Sequence, residues 1–378
     1  MAGSPEIPLF DLRLERDDLD AVAATLRSGW LTMGPRTAEF EERFAAHLGC
    51  RHVVAVSSCT AALHLAYLAA GVGPGDEVIV PAYTFVATSA AAVYCGARPV
   101  FADIVGMHDI SIDPAEVERL IGPRTKAVVA VHFGGYSAPV DVLRDLCDER
   151  GVALVEDTAH APSATLAGRK LGTFGLAGAF SLFSNKVLSV GEGGMVATDD
   201  DDVAALTRRL RSQAMSSGTW DRHTGRTDTY DVAELGFNYR LDEPRAALAL
   251  SRFPRLAEEI ERRRVLTRRY RELFAAVDGV DVPYEDESVE RSSCYIMPVL
   301  VAAERRDQIR ARLLERDGVQ TSIFYPPTHL FSAYRDPAVT LPRTELAARR
   351  EITLPLYPHM TDAEQDRVVA ALAREVTA

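Results

Sequence analysis

Read from the N-terminus, the chain first shows a helical period. Leu19, Val22, Ala23 and Leu26 recur at the spacing of one helix face, with Asp17 or Asp18 as the expected cap and Gly29 as the stop. A second helix is predicted over 37–48 and ends at Gly49. The pattern then changes to short apolar runs at 52–56, 77–80, 98–102, 126–131, 152–156, 179–183 and 194–198. These have the length of strands buried on both faces, and helical segments of about ten residues separate the first five. Such alternation predicts an α/β layer around a mostly parallel sheet covered by helices. The stretch 213–231 is polar and aperiodic and is predicted to be one long loop, the kind of segment that carries function in compact domains. Beyond Asp242 a long helix, strands at 293–300 and 320–325, and helices over 303–316 and near 343–351 and 361–376 predict a separate α+β lobe. The expected division is a large domain over 1–248 and a small C-terminal domain over 249–378.

Composition narrows the class. The 378 residues are 47% hydrophobic and 25% charged, as in an ordinary soluble globular protein. A net charge of -12 argues against nucleic acid as a partner. The arginines from Arg262 to Arg271 share a helical pattern with Glu258, Glu259 and Glu261 and read as a solvated face. Five scattered cysteines without a CxxC pair predict neither a disulfide framework nor a metal site, and fit a reducing cytoplasm. The first residues lack the basic and apolar regions of a secretory leader, and no apolar run reaches membrane-spanning length, so no membrane partner is expected. Only three of the 42 basic residues are lysines. Arginine serves wherever a bare positive charge suffices. A retained lysine is therefore a candidate for chemistry that needs a primary amine able to lose its proton, such as Schiff-base formation.

Position decides among Lys126, Lys170 and Lys186. Ligands of parallel sheets bind at the carboxyl ends of the strands. After 52–56 come Ser57, Ser58, Cys59 and Thr60, small residues opening a helix whose free N–H groups suit an anion such as phosphate. After 152–156 come Asp157 and His160; a carboxylate at a buried strand end needs a partner, either a structural arginine or a cofactor cation. After 179–183, which holds Ser181, come Ser184, Asn185 and Lys186, and then clustered glycines that permit close backbone approach. Lys126 merely begins a strand and Lys170 sits in a turn, so Lys186 is the candidate.

These segments have a family look. VEDTAHAPSA, FSLFSNKVLSVGEGGMVATDD and LGFNYRLDEPRAALAL resemble the DegT/DnrJ/EryC1/StrS aminotransferase family, as do GWLTMGPRTAEFEERFAAHLG, SSCTAALHLA, GVGPGDEVIVPAYTFVAT and GARPVFADI. The likeness runs in order from about residue 7 to LPLYPHMTDAE near the end. It implies fold-type I of the pyridoxal-phosphate enzymes, an α/β large domain with a seven-stranded mostly parallel sheet and a small C-terminal α+β domain. It further implies that Lys186 carries pyridoxal 5'-phosphate as a Schiff base and that Asp157 pairs with the pyridinium nitrogen. Thr60, Ala61 and Ser181, with Cys59 in the same turn, would hold the phosphate. Phe85 would stack on the ring, and His160 would lie beside it where many relatives carry Gln. Asn238 would reach the cofactor of the partner subunit, giving a homodimer with shared sites. Two departures stand out. Cys59 replaces a common Gly, and HFGGYSAP replaces a common HLYGxP, which leaves the roles of His132 and Tyr136 open.

The expected reaction moves an amino group from an amino acid, glutamate with 2-oxoglutarate as its product, to a nucleotide-linked keto-6-deoxyhexose at C-3 or C-4. The resemblance places it in amino-sugar biosynthesis, antibiotic pathways included. Arg222, His223, Arg226 and His329 are the substrate candidates, because Arg and His pair with a diphosphate and Trp220 offers a stacking face. The alternatives are a keto-cyclitol aminotransferase, a sugar dehydratase and a non-catalytic regulator that binds the cofactor. Dehydratase relatives replace the lysine with His, and a regulator has no need for Lys186, Asp157 and Ser181 together.

Overall fold

The computed structural model describes residues 5–377. Helices α1 (Arg16–Ser28) and α2 (Pro35–Leu48) precede a run of alternating strands and helices: β1 (His52–Val56), α3 (Cys59–Ala69), β2 (Glu77–Pro81), α4 (Ala87–Tyr94), β3 (Arg98–Ala102), α5 (Pro114–Leu120), β4 (Thr125–Val131), α6 (Val140–Arg150) and β5 (Ala153–Asp157). A two-residue ribbon, β6 (Thr165–Leu166) with β7 (Arg169–Lys170), leads to β8 (Ala177–Ser181) and β9 (Gly194–Thr198). All seven predicted strands of the large sheet form, within two residues of their expected limits. Their order is β1-β9-β8-β5-β4-β2-β3. Strands β3, β2, β4, β5 and β8 run parallel, and β9 is antiparallel to both its neighbours. Because β1 and β8 both oppose β9, the carboxyl ends of β1, β5 and β8 open on one edge of the sheet. Both faces are buried: along β1, Val53 and Ala55 join one core and Val54 and Val56 the other.

After α7 (Asp201–Leu210) and α8 (Thr219–His223) come α9 (Glu243–Arg252) and α10 (Leu256–Phe274), then α11 (Asp286–Val289), β10 (Met297–Leu300), α12 (Arg306–Asp317), α13 (Pro342–Arg350), β11 (Glu351–Leu354) and α14 (Asp362–Thr377). Strands β10 and β11 pair antiparallel in a sheet of their own. The N-terminal segment joins this second lobe through a bridge between Ile7 and Val319. One core runs unbroken from Phe44 and Phe180 under the large sheet to Tyr295 and Leu354 beside the small one.

Several local expectations are corrected. Glu15, not Asp17 or Asp18, caps α1, in a reciprocal box with Asp18. Leu19 and Leu26 of its apolar stripe are 58% and 53% exposed, whereas Asp18 is buried against Arg255 and Ser251. The long helix after Asp242 is two helices, because Pro254 cannot continue the N–H ladder. The 213–231 segment contains α8 and is not all loop. No regular strand forms at 320–325; one exists instead at β11, where helix was expected to reach residue 351. The arginine run is also more than a solvated face: Arg263 is buried and donates to the carbonyls of Tyr295 and Leu356. No helix among the described residues is long and apolar enough to cross a membrane.

Candidate active site

A cavity of about 460 Å³ opens at the carboxyl edge of the large sheet, between the sheet and the Phe324–Tyr325 segment of the second lobe. Helix α3 supplies one wall. Ser58 caps it by accepting the Ala61 N–H at 3.1 Å, which leaves the N–H groups of Cys59 and Thr60 without an intrahelical acceptor. The helix end lies close against β9 because residue 194 is glycine. A Cβ there would stand 2.4 Å from the Ser58 carbonyl and 2.6 Å from Cys59 N. Ser181, the last residue of β8, lines the same cavity.

Asp157 ends β5 and is buried. Its Oδ2 accepts from the Thr88 hydroxyl at 2.8 Å and its Oδ1 from the Ala159 N–H at 3.2 Å. Thr88 in turn meets the Thr84 hydroxyl at 2.9 Å. Burial holds the Asp157 carboxyl above its usual range, while Thr88, the Ala159 N–H and Lys186 pull the other way. The neighbouring carboxylate, Glu156, serves structure. It accepts the N–H groups of Gly172, Phe174 and Gly175 and faces His132 Nε2 at 3.0 Å. His132 Nδ1 accepts from Ala138 N–H, so its proton sits on Nε2 and points at Glu156. This assigns His132, left open by the sequence, to holding the loop after β7.

Lys186 follows β8 in the turn that begins at Phe183. Burial pushes its ammonium down to about 8, with Cys59 and Asp157 partly restoring the charge. Its Nζ lies 4.3 Å from the centre of the Tyr295 ring. His160 is buried in the same wall, between Gly134 N–H on Nδ1 and Tyr325 Oη on Nε2. Phe85 stands at the mouth, 54% exposed, with the Tyr325 ring 5.6 Å away.

The fold thus gathers Lys186, Asp157, Cys59, Thr60, Phe85, His160 and Ser181 around one cavity. Ala61 does not join them, since its N–H is spent on the Ser58 cap. Asn238 is exposed and away from the cavity of its own chain; Phe237 and Tyr239 stack on each other at 5.0 Å, and the residue between them faces outward. Arg222 is occupied within its loop by Ser217 and Thr219, Arg226 pairs with Asp221, and His223 packs on Trp30. His329, expected near substrate, is 2% exposed, faces Glu345 and packs near Phe101 away from the cavity. Tyr295, Tyr325, Thr84 and Thr88 line or support the cavity and were missed. Tyr325 stands four residues before His329 in the same FYPPTHL stretch, where aromatic and proline residues were the available signal.

The sequence model of the DegT/DnrJ/EryC1/StrS aminotransferase family matches residues 13–373. Among curated proteins, the chain is 37% identical to the spore coat polysaccharide biosynthesis protein SpsC of Bacillus subtilis, with 94% of each covered. It is 36% identical to a UDP-4-amino-4-deoxy-L-arabinose–oxoglutarate aminotransferase of Shewanella sediminis, with 98% of each covered. Among solved structures it superposes on the aminotransferase TlmJ from Streptoalloteichus hindustanus with a TM-score of 0.92 at 37% identity, covering 98% of this chain and 99% of that one. Other structures of the same fold hold pyridoxal phosphate or its amine form. The cavity suits that cofactor. It offers an amine of lowered basicity, a buried carboxylate with a free lone pair, and a helix end whose approach only glycine at 194 permits.

Proposed function

The chain belongs to the DegT/DnrJ/EryC1/StrS aminotransferase family, and we propose that it transfers the amino group of glutamate to a nucleotide-linked keto-6-deoxyhexose, at C-3 or C-4. It is a pyridoxal-phosphate-dependent aminotransferase acting on sugars. The observation that carries the reading is the meeting of Lys186, Asp157 and the α3 N-terminus around one buried cavity. The glutamate donor is supported by the oxoglutarate in the name of the 36% identical relative, and the nucleotide by its UDP-linked sugar.

When bound, pyridoxal phosphate supplies an electron-withdrawing ring that stabilises negative charge at the carbon losing its proton. The protein's own contribution follows from its residues. Asp157 would present its carboxylate to the ring nitrogen and favour its protonated form by charge pairing. The N–H groups of Cys59 and Thr60 and the Ser181 hydroxyl would hold the phosphate. Phe85 would stack over the ring and, with Tyr295 and Tyr325, shield the reacting carbon from water. Lys186 Nζ, whose ammonium burial pushes down to about 8, gives up its proton far more readily than a free lysine and would take the proton from the amino acid Cα and return it, as general acid, to the carbon on the other side of the amino nitrogen.

The working unit in this reading is a homodimer with shared sites. Leu12, Leu14, Leu19, Leu26 and Leu31 are all at least two-fifths exposed, and Leu235, three residues before Asn238, is 92% exposed. A second chain in the homodimer would cover this apolar surface. The outward face of Asn238 suits delivery to the phosphate of a neighbouring subunit, and Arg222, His223 and Arg226 would approach substrate only there. Purified holo-protein should be yellow, lose that colour with glutamate and regain it with a nucleotide keto-6-deoxyhexose. Recovery with a free keto-inositol, and with no nucleotide sugar, would instead establish the cyclitol alternative.

A further inference from the structure

We propose that Tyr325 is a hydroxyl donor aimed into the active-site cavity, and that His160 aims it by acting as a fixed neutral imidazole. The direction of the hydrogen bonds stands on geometry; what the hydroxyl faces rests on the aminotransferase reading above.

His160 has two ring nitrogens and both are engaged. The backbone N–H of Gly134, which can only donate, lies 3.2 Å from Nδ1. Nδ1 is therefore an acceptor and carries no proton. An imidazolium would set two N–H groups against each other at that point. Burial and the nearby Lys186 charge also hold His160 well below its ordinary range, so the neutral ring persists. Its single proton sits on Nε2, 2.9 Å from Tyr325 Oη. The phenol oxygen accepts that bond. Its own proton must then leave along another direction, and Tyr325 borders the cavity together with Asp157, Lys186 and Phe85.

The tyrosine is held from several sides. Its ring stacks on Phe324 at 4.7 Å, and the Phe324 N–H is fixed by the buried Glu351 carboxylate at 2.9 Å. Phe85 and His160 pack at 5.6 and 5.9 Å from the same ring. A hydroxyl so fixed donates to an electron-rich oxygen of whatever Lys186 binds, at no reorientation cost when charge develops there. His160 is a positioning residue in this scheme, and it neither gives nor takes a proton. Glutamine would do the same work, its carbonyl accepting from Gly134 and its amide N–H donating to Tyr325, with nothing to titrate.

Three measurements on the holoenzyme test this, and none of them needs a sugar. The ¹⁵N–¹H correlations of labelled wild-type protein should show His160 as the Nε2–H tautomer, unchanged from about pH 6 to 9. The pH midpoint of the visible cofactor band should move in the same direction in Tyr325→Phe and His160→Leu, whereas His160→Gln should bring it back towards the wild-type position. In the glutamate half-reaction, Tyr325→Phe should slow the chemical step about tenfold with little change in KM, and the Tyr325→Phe/His160→Leu double variant should be no slower than the worse single. Tyr325→Phe keeps the ring and its stacking, and the thermal midpoint of each variant reads separately any cost of leaving the His160 Nε2–H without its acceptor. An Nδ1–H tautomer, an imidazolium in that pH range, or a Tyr325→Phe band and rate identical to wild type would overturn the proposal. Loss of sugar turnover with these results intact would instead count against the substrate assignment.

Discussion

Asp157→Asn removes one charge and almost no shape, which makes it a sharp test of the Asp157 role. The Ala159 N–H cannot reverse, so the asparagine carbonyl must keep that bond, now 3.2 Å, and its NH2 must face Thr88. Thr88 can accommodate this. It lies 2.9 Å from Thr84, so its proton can turn to Thr84 while its oxygen accepts from the amide. Thr84 lines the cavity and can turn its own proton there. No buried donor is stranded, and the fold should change by less than about 1 kcal/mol. Turnover should behave differently. A ring cation left without its carboxylate loses about 3–5 kcal/mol of pairing, and at ~1.4 kcal/mol per factor of ten the glutamate half-reaction should slow roughly 10²–10⁴-fold. Stopped-flow absorbance gives the rate, and the thermal midpoint and the cofactor band report fold and loading. A variant within about tenfold of wild type would refute the pairing role. A collapse of the thermal midpoint would show that the carboxylate holds structure instead.

Gly194→Ala drives a methyl against the backbone of Ser58 and Cys59, so cofactor affinity measured by fluorescence should fall by about tenfold or more; Gly193→Ala, whose nearest contacts are side-chain atoms of Leu182 and Leu241 at 3.1–3.2 Å, should cost less, and equal losses would refute the cradle. Lys186 sheds its proton near 8 in the folded apo-protein against 10.5 for the free side chain, so between those values the unfolded chain binds more protons and apo stability should rise with pH, as denaturant titration would read. The rate of cofactor capture by the apo-protein should climb through the same midpoint near 8, and a flat profile would contradict a free amine nucleophile. Hybrids of Lys186→Arg and Asn238→Ala subunits should recover activity that neither variant has alone; confirmed hybrids without recovery would argue against cross-subunit supply.

How far the chain could be read without its fold differs from element to element. The seven strands were legible because a strand buried on both faces is a short apolar run, and 53–56 and 78–80 carry that mark unbroken. Lys186 stood out as the candidate amine from rarity and from its place after a strand. Helix α1 shows the limit. Its period located the helix, yet Leu19 and Leu26 face outward while Asp18 is buried, because Arg255 and Ser251, far away in the chain, neutralise and bond the carboxylate. Glu351 was read as helix and is a buried strand residue for a similar reason, since it accepts the Phe324 N–H across the lobe.

The sequence by itself determined the fold class and the strands of the large sheet to within two residues, and it singled out Lys186 as the candidate amine, since each of these readings rests on short local patterns. Only the tertiary structure decided which aromatic rings wall the cavity, that Tyr325 rather than His329 borders it, and on which nitrogen His160 carries its proton. Those outcomes depend on groups from Gly134, His160, Tyr295 and Tyr325, which meet only when the second lobe closes on the sheet edge. A hydrogen bond has a range of about 3 Å, and no local pattern in the chain records a meeting at that distance between residues so far apart.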